Sequence, residues 1–71
     1  MTITLNGEPH ALPAAAATIA DLLAGLEIDP RRVAVERNGV VVKRGAYSAV
    51  YLEDGDQVEV VNFVGGGSAP G

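Results

Sequence analysis

The sequence predicts an α+β domain: a mixed sheet of four to five strands with one main helix packed on one face. Three observations carry that prediction. Short alternating stretches mark strands, two Asn-Gly pairs mark hairpin turns, and one segment between the hairpins has helical spacing. At 71 residues the chain holds one small domain.

Thr2-Ile3-Thr4-Leu5 alternates polar and apolar, as a half-buried strand does. Asn6-Gly7 accepts the two positive φ angles of a type I′ turn. The return strand is expected over Glu8 to Leu12, and Pro9, which has no N–H, confines it to a sheet edge. Ile3, Leu5 and Leu12 are the expected core positions. Thr18 is the expected helix cap, with Asp21 three positions on as a shorter capping-box acid. Ile19, Leu22, Leu23 and Leu26 form one apolar stripe, and Gly25 near the end suits a left-handed C′ residue. Ala14 to Ala17 read as a loop leading in after Pro13, although alanine also favours an earlier helix start.

Ile28 is expected to tuck under the sheet, and Asp29-Pro30 starts a turn. Val33 to Arg37 is the third strand, Asn38-Gly39 the second hairpin turn and Val40 to Lys43 the fourth strand. Gly45 to Ala49 forms a turn, Val50 to Leu52 a brief extended piece and Glu53 to Asp56 an acidic turn. Gln57 to Phe63 is the last strand. With the helix in the crossover, the first and last strands can pair in parallel at the sheet centre, the β-grasp arrangement. The domain is expected over 1–64, followed by a glycine-rich tail over 65–71.

Composition removes several functions. Hydrophobic residues make up 48% and charged residues 20%, a globular mix. Without cysteine there is no disulfide, thiolate nucleophile or thiolate metal site, and His10 alone cannot build a multi-histidine cage. Five basic against nine acidic residues give a net charge of −4. That balance argues against nucleic acid and suits a partner with a basic docking surface. The start lacks a basic n-region, and Pro13, Asp21 and Gly25 interrupt the apolar stretch from Ala11 to Leu26. A cytoplasmic protein without a membrane partner, monomeric when free, is therefore expected. A domain of this size buries only about 60% of its chain surface, too little for a deep catalytic cavity. No catalytic residue and no metal ligand are assigned; larger enzymes are expected to act on the chain.

No large side chain follows Val64 in Val64-Gly65-Gly66-Gly67-Ser68-Ala69-Pro70-Gly71. By composition this is a plain linker end, or else a reactive arm. Consecutive glycines let a backbone thread a narrow slot, and a terminal carboxylate, ionised at pH 7, can attack a nucleotide phosphorus. In the last strand Val58 and Val60 share the expected core face, whereas Gln57, Glu59, Val61 and Phe63 share the other. Val61 and Phe63 form either a docking patch rimmed by acids or a pair covered by a crossing loop. His10, Arg31, Arg32, Lys43 and Arg44 read as solvated positions, and Tyr47 and Tyr51 as packed rings with wet hydroxyls. Asp21, Asp54 and Asp56 read as cap and turn residues.

From Ile3 to Gly67 the chain resembles the ThiS-type sulfur carriers of thiamine biosynthesis, which are ubiquitin-like β-grasp proteins. The resemblance rests on Leu5-Asn6-Gly7, Thr18-Ile19-Ala20-Asp21-Leu22-Leu23 and Val33-Ala34-Val35-Glu36-Arg37-Asn38-Gly39. It continues through Asp54-Gly55-Asp56 and Val58-Glu59-Val60-Val61-Asn62-Phe63-Val64-Gly65-Gly66-Gly67. It implies that a ThiF-type, E1-like enzyme adenylates the terminal glycine with ATP, and that the carrier holds no cofactor of its own. A sulfur donor enzyme would then convert the adenylate to a thiocarboxylate, and thiazole synthase would take the sulfur. By the same resemblance Gly67 bears the adenylate and thiocarboxylate, Gly65 and Gly66 thread the slot, and Val61, Phe63 and Val64 lie at the partner surface. Ser68 to Gly71 depart from the family pattern and carry the terminus roughly 13–14 Å too far, so a trimming peptidase is expected to remove them. The molybdopterin-synthase small subunit, another pathway's sulfur carrier, a ubiquitin-like protein modifier and a regulatory β-grasp binding module are the alternatives.

Overall fold

Both Asn-Gly pairs turn the chain as their chemistry predicts. In the computed structural model, which describes residues 1–13 and 17–62, Asn6 and Gly7 have φ of 50° and 85°, and Asn38 and Gly39 have 52° and 81°. These are the successive left-handed residues of a type I′ turn. The first turn joins β1 (Thr2–Leu5) to β2 (Glu8–Ala11), and the second joins β3 (Val33–Arg37) to β4 (Val40–Val42). The last strand, β5 (Gln57–Asn62), lies between the hairpins, giving the order β2-β1-β5-β3-β4. It pairs in parallel with β1, with Thr4 opposite Gln57 and Leu5 opposite Val58. On its other side it runs antiparallel to β3 from Val33–Asn62 to Arg37–Val58. Pro9 sits in β2 at a sheet edge, where its missing N–H costs no ladder bond.

Helix α1 (Ile19–Gly25) occupies the crossover. Seven residues are too few to hold a helix alone, so caps and packing supply its stability. The Asp21 N–H donates to Thr18 Oγ1 and the Thr18 N–H to Asp21 Oδ2, both at 3.1 Å, completing the expected capping box. At the other end the Ile28 N–H donates to the Leu23 carbonyl and the Glu27 N–H to the Ala24 carbonyl, a Schellman arrangement. The left-handed residue there is Glu27, at φ 58°, and not Gly25, which ends the helix with φ outside the left-handed region. The apolar pattern decides the stop. Reversal at Glu27 brings Ile28 against the core that contains Leu23. Ala14 to Ala16 lie outside the described residues, and the helix begins after Thr18.

Ile19, Leu22 and Leu23 of the helix form one buried cluster with Ile3, Val33, Val35 and Val58 of the sheet and with Leu12, Tyr47 and Leu52. On the sheet face opposite the helix, Val41 and Val61 are exposed. The segment after β4 folds more tightly than expected, as a 3-10 turn at Arg44–Ala46, and the brief extended piece at Val50 to Leu52 makes one bridge, Thr18 to Tyr51. That segment is stapled to the start of the helix. The Ile19 N–H donates to Val50, the Ala20 N–H to Tyr47 and the Leu52 N–H to Ala17. Tyr47 is buried, and its hydroxyl donates to the Val33 carbonyl at 3.3 Å instead of meeting water. Burial raises this phenol above its ordinary pKa. His10 is half-buried, not solvated, because its register opposite Ile3 turns it to the helix side of the sheet.

Candidate functional site

Two asparagines and one aspartate fix the position of β5. At its start, Asp56 is 7% exposed and accepts from Arg37 Nε at 2.8 Å, from Asn38 Nδ2 at 3.0 Å and from the Glu53 N–H at 2.8 Å. Burial alone would raise this carboxyl, but the three donors outweigh it and hold the group below its ordinary value. Arg37 also reaches Glu53 at 3.3 Å. Asn38 grips the next residue, accepting from the Gln57 N–H through its side chain and donating its own N–H to the Gln57 carbonyl. Farther along, the Asn6 side chain accepts from the Val60 N–H at 2.8 Å and donates to the Val60 carbonyl at 3.2 Å. The sequence predicts a turn for each of the three: the hairpin turns for the asparagines and the acidic turn for Asp56. Their grip on β5 was missed because no local pattern announces it.

Strand alternation then sorts the side chains of β5. Val58 is buried in the core, and Val60 is half-buried beside a hollow of about 210 Å³ lined also by Leu5, Asn6, Leu26, Ile28, Val33 and Asn62. The opposite face carries Val61 across from Ala34, Glu59 across from Glu36, and Val41 across from Glu36 on the far side. Val61 is 56% exposed and Val41 66%. No crossing loop among the described residues covers Val61. The two glutamates face each other with no ion pair to either among the described residues, an arrangement that costs stability within a sheet. This face is therefore apolar at Val61 and Val41 and negative between them.

Phe63, Val64, Gly65, Gly66 and Gly67 lie outside the described residues, as does the expected boundary at residue 64. In sequence they follow Asn62 directly, so the exposed face sits one residue from the segment assigned to chemistry. Among the described residues no three His, Asp or Glu side chains come together as a metal site, and no helix is long and apolar enough to cross a membrane.

The model of the ThiS family matches residues 3–67. This chain belongs to the ThiS family. The sulfur carrier protein ThiS of Bacillus subtilis is 40% identical over 65 residues, covering 92% of this chain and 98% of that protein. A crystal structure of the thiamine biosynthesis protein ThiS of Geobacter metallireducens superposes with a TM-score of 0.81 at 39% identity, covering 94% of this chain and all of the other. The ubiquitin-like β-grasp fold is thus shared by a solved ThiS protein. A thiazole synthase of Magnetococcus marinus is 56% identical over 70 residues, covering 99% of this chain. This chain spans only 21% of that synthase, which carries a ThiS-like segment within a much longer polypeptide.

Proposed function

We propose that this chain is a sulfur carrier of thiamine biosynthesis, a protein cosubstrate whose terminal glycine is chemically altered by other enzymes. One observation carries the reading most directly. The central strand of a ThiS-family domain carries an apolar and acidic face that no described residue covers, and its sequence runs through Asn62 into Phe63-Val64-Gly65-Gly66-Gly67. A bulky or anchored terminus could not enter a deep enzyme site; a triglycine can.

In this reading Gly67 is the reacting residue. Its carboxylate oxygen attacks the α-phosphorus of ATP in a ThiF-type adenylating enzyme, pyrophosphate leaves, and an acyl-adenylate forms. The outer sulfur of a cysteine persulfide on a donor enzyme attacks the acyl carbon, and AMP departs with the carboxylate oxygen to leave an acyl disulfide. A thiol then attacks the donor cysteine's sulfur, the S–S bond breaks with formation of a new disulfide on the donor, and the terminus is released as a thiocarboxylate. Thiazole synthase then accepts the sulfur. The related segment found within a thiazole synthase polypeptide supports that last partner, since joining two proteins in one chain suits proteins that meet in function.

Gly65 and Gly66 supply the slender backbone that threads the slot. Val61, Phe63 and Val64 meet the partner surface, with Glu36 and Glu59 favouring a partner that presents a basic side chain there. Ser68 to Gly71 stand between Gly67 and a free carboxylate, so a peptidase must remove them before activation. Thiazole formation reconstituted with two forms, one ending at Gly67 and one at Gly71, tests the whole reading. Turnover is expected with the shorter form alone. Turnover with the form that keeps Gly71 intact would exclude the trimming step, and no turnover with either would exclude the carrier role.

A further inference from the structure

The β1–β5 ladder contains one rung that is not made by strand backbone. Its last register pair is Leu5 opposite Val58, and the Asn6 N–H still donates to the Val58 carbonyl at 2.9 Å. Beyond that point β1 has entered its turn and has no extended peptide to offer. The Asn6 side chain takes over, accepting from the Val60 N–H and donating to the Val60 carbonyl. A primary amide carries a donor and an acceptor in one plane, as a peptide group does, and here it stands in for one. Val61 and Asn62 have strand partners only on the β3 side, Ala34 and Val33. Among the described residues, Val60 is therefore the last residue of β5 held from both sides.

We propose that Asn6 is a positioning residue whose side-chain clamp on Val60 secures the β1-side edge of β5 two residues before the strand ends at Asn62, and so steadies the origin of the reactive tail. This rests on the thiocarboxylate reading above. From Asn62, the last residue of β5, to Gly67 the chain can extend at most roughly 17–18 Å. A partner that holds the Val61 face and reacts with the terminus at once needs that span to start from a fixed place. Release of Val60 leaves the end of β5 held by β3 alone, so that end swings more widely and spreads the carboxylate over a larger volume, which lowers the fraction poised for attack.

The turn and the clamp make different demands on this position. A φ of 50° is met by Asn, Asp or Gly, so the turn alone accepts all three. Only the amide offers both the donor and the acceptor that Val60 uses. Asn38 grips β5 at its other end in a related way, through the Gln57 N–H, so each hairpin asparagine holds one end of the central strand.

Asn6→Gly separates the two roles, because it keeps the turn and removes the clamp. It is made in the full chain and in the form ending at Gly67, and two quantities are read. The first is hydrogen exchange at the Val60 amide, expected to accelerate about tenfold on loss of its acceptor. The second is adenylation by the E1-like enzyme, followed as pyrophosphate release with the Gly67 form. Here kcat is expected to fall about tenfold while KM for the carrier stays within about twofold, since the docking face is untouched. Asn6→Asp retains the acceptor alone and is expected to fall between. A merely structural role would leave both kinetic constants unchanged at temperatures where the variant is folded. Unaltered Val60 exchange, or faster exchange with intact kcat, overturns the proposal. Failure of the unmodified Gly67 form to be adenylated would count against the carrier reading, and the exchange result would still decide whether the clamp exists.

Discussion

Asp56→Ala should be the most damaging single change among the polar residues of this domain. It removes three hydrogen bonds to one carboxylate: those from Arg37 Nε, Asn38 Nδ2 and the Glu53 N–H. Bonds to a charged group contribute about 1.5–3 kcal/mol each when sheltered. The Arg37 side chain is 26% exposed, and Asn38 is exposed, so water takes back part of both losses. The Glu53 donor and the removed carboxylate are the less replaceable part. A net cost of about 3 kcal/mol follows. For a domain of this size 1 kcal/mol corresponds to about 4–8 °C in Tm, so the midpoint should drop by more than about 12 °C.

Thermal or urea unfolding followed by circular dichroism measures this at pH 7 and again at pH 3. The sign of the pH effect is fixed by the direction of the shift. Asp56 has a folded pKa below the ordinary aspartate value of 3.8, so its contribution is complete above that value and fades as pH falls through the lower folded pKa. The gap between the native chain and the variant should therefore narrow in acid. A cost below about 1 kcal/mol at pH 7, or a gap that widens in acid, would refute the reasoning.

Glu27→Gly should raise stability by about 0.5–1 kcal/mol, because it relieves the left-handed strain at φ 58° while adding some unfolded-state entropy; urea unfolding reads it. Tyr47→Phe should cost about 1 kcal/mol by stranding the buried Val33 carbonyl, read as a lower Tm. Val61→Asp, on an exposed position, should leave stability within about 0.5 kcal/mol yet raise KM for adenylation several-fold, measured by pyrophosphate release. Glu59→Lys should give opposite signs in two assays. Opposite Glu36 it should stabilise the sheet by a few tenths of a kcal/mol, while kcat/KM for adenylation falls because a basic partner surface is now repelled.

Much of the fold is legible because its signals are local. Asn6-Gly7 and Asn38-Gly39 announce their turns within two residues, Thr18 and Asp21 form a capping box across one helical turn, and Pro9 marks an edge. Parallel pairing of the first and last strands follows from the helix between them. What escaped reading depends on distant parts of the chain. Asn6 meets Val60 across 54 positions, and Asn38 meets Gln57 across 19. The helix stop at Glu27 overrode the glycine signal at Gly25 because burial of Ile28 decided where the chain reverses. Tyr47 lost its expected contact with water for a similar reason, since the 3-10 turn carries its ring under β3. In the candidate site, the exposure of Val61 follows from strand alternation. The facing pair Glu36 and Glu59 needed the register of β3 against β5, which no local pattern supplies.

The intact mass of the Gly67-terminated chain, measured after incubation with an E1-like adenylating enzyme, ATP, a persulfide donor and a reducing thiol, tests the central claim most directly. The account predicts that one terminal oxygen is exchanged for sulfur, located on Gly67 by fragmentation. An unchanged mass after full turnover conditions, or attachment of the chain to lysines of other proteins instead, would contradict it.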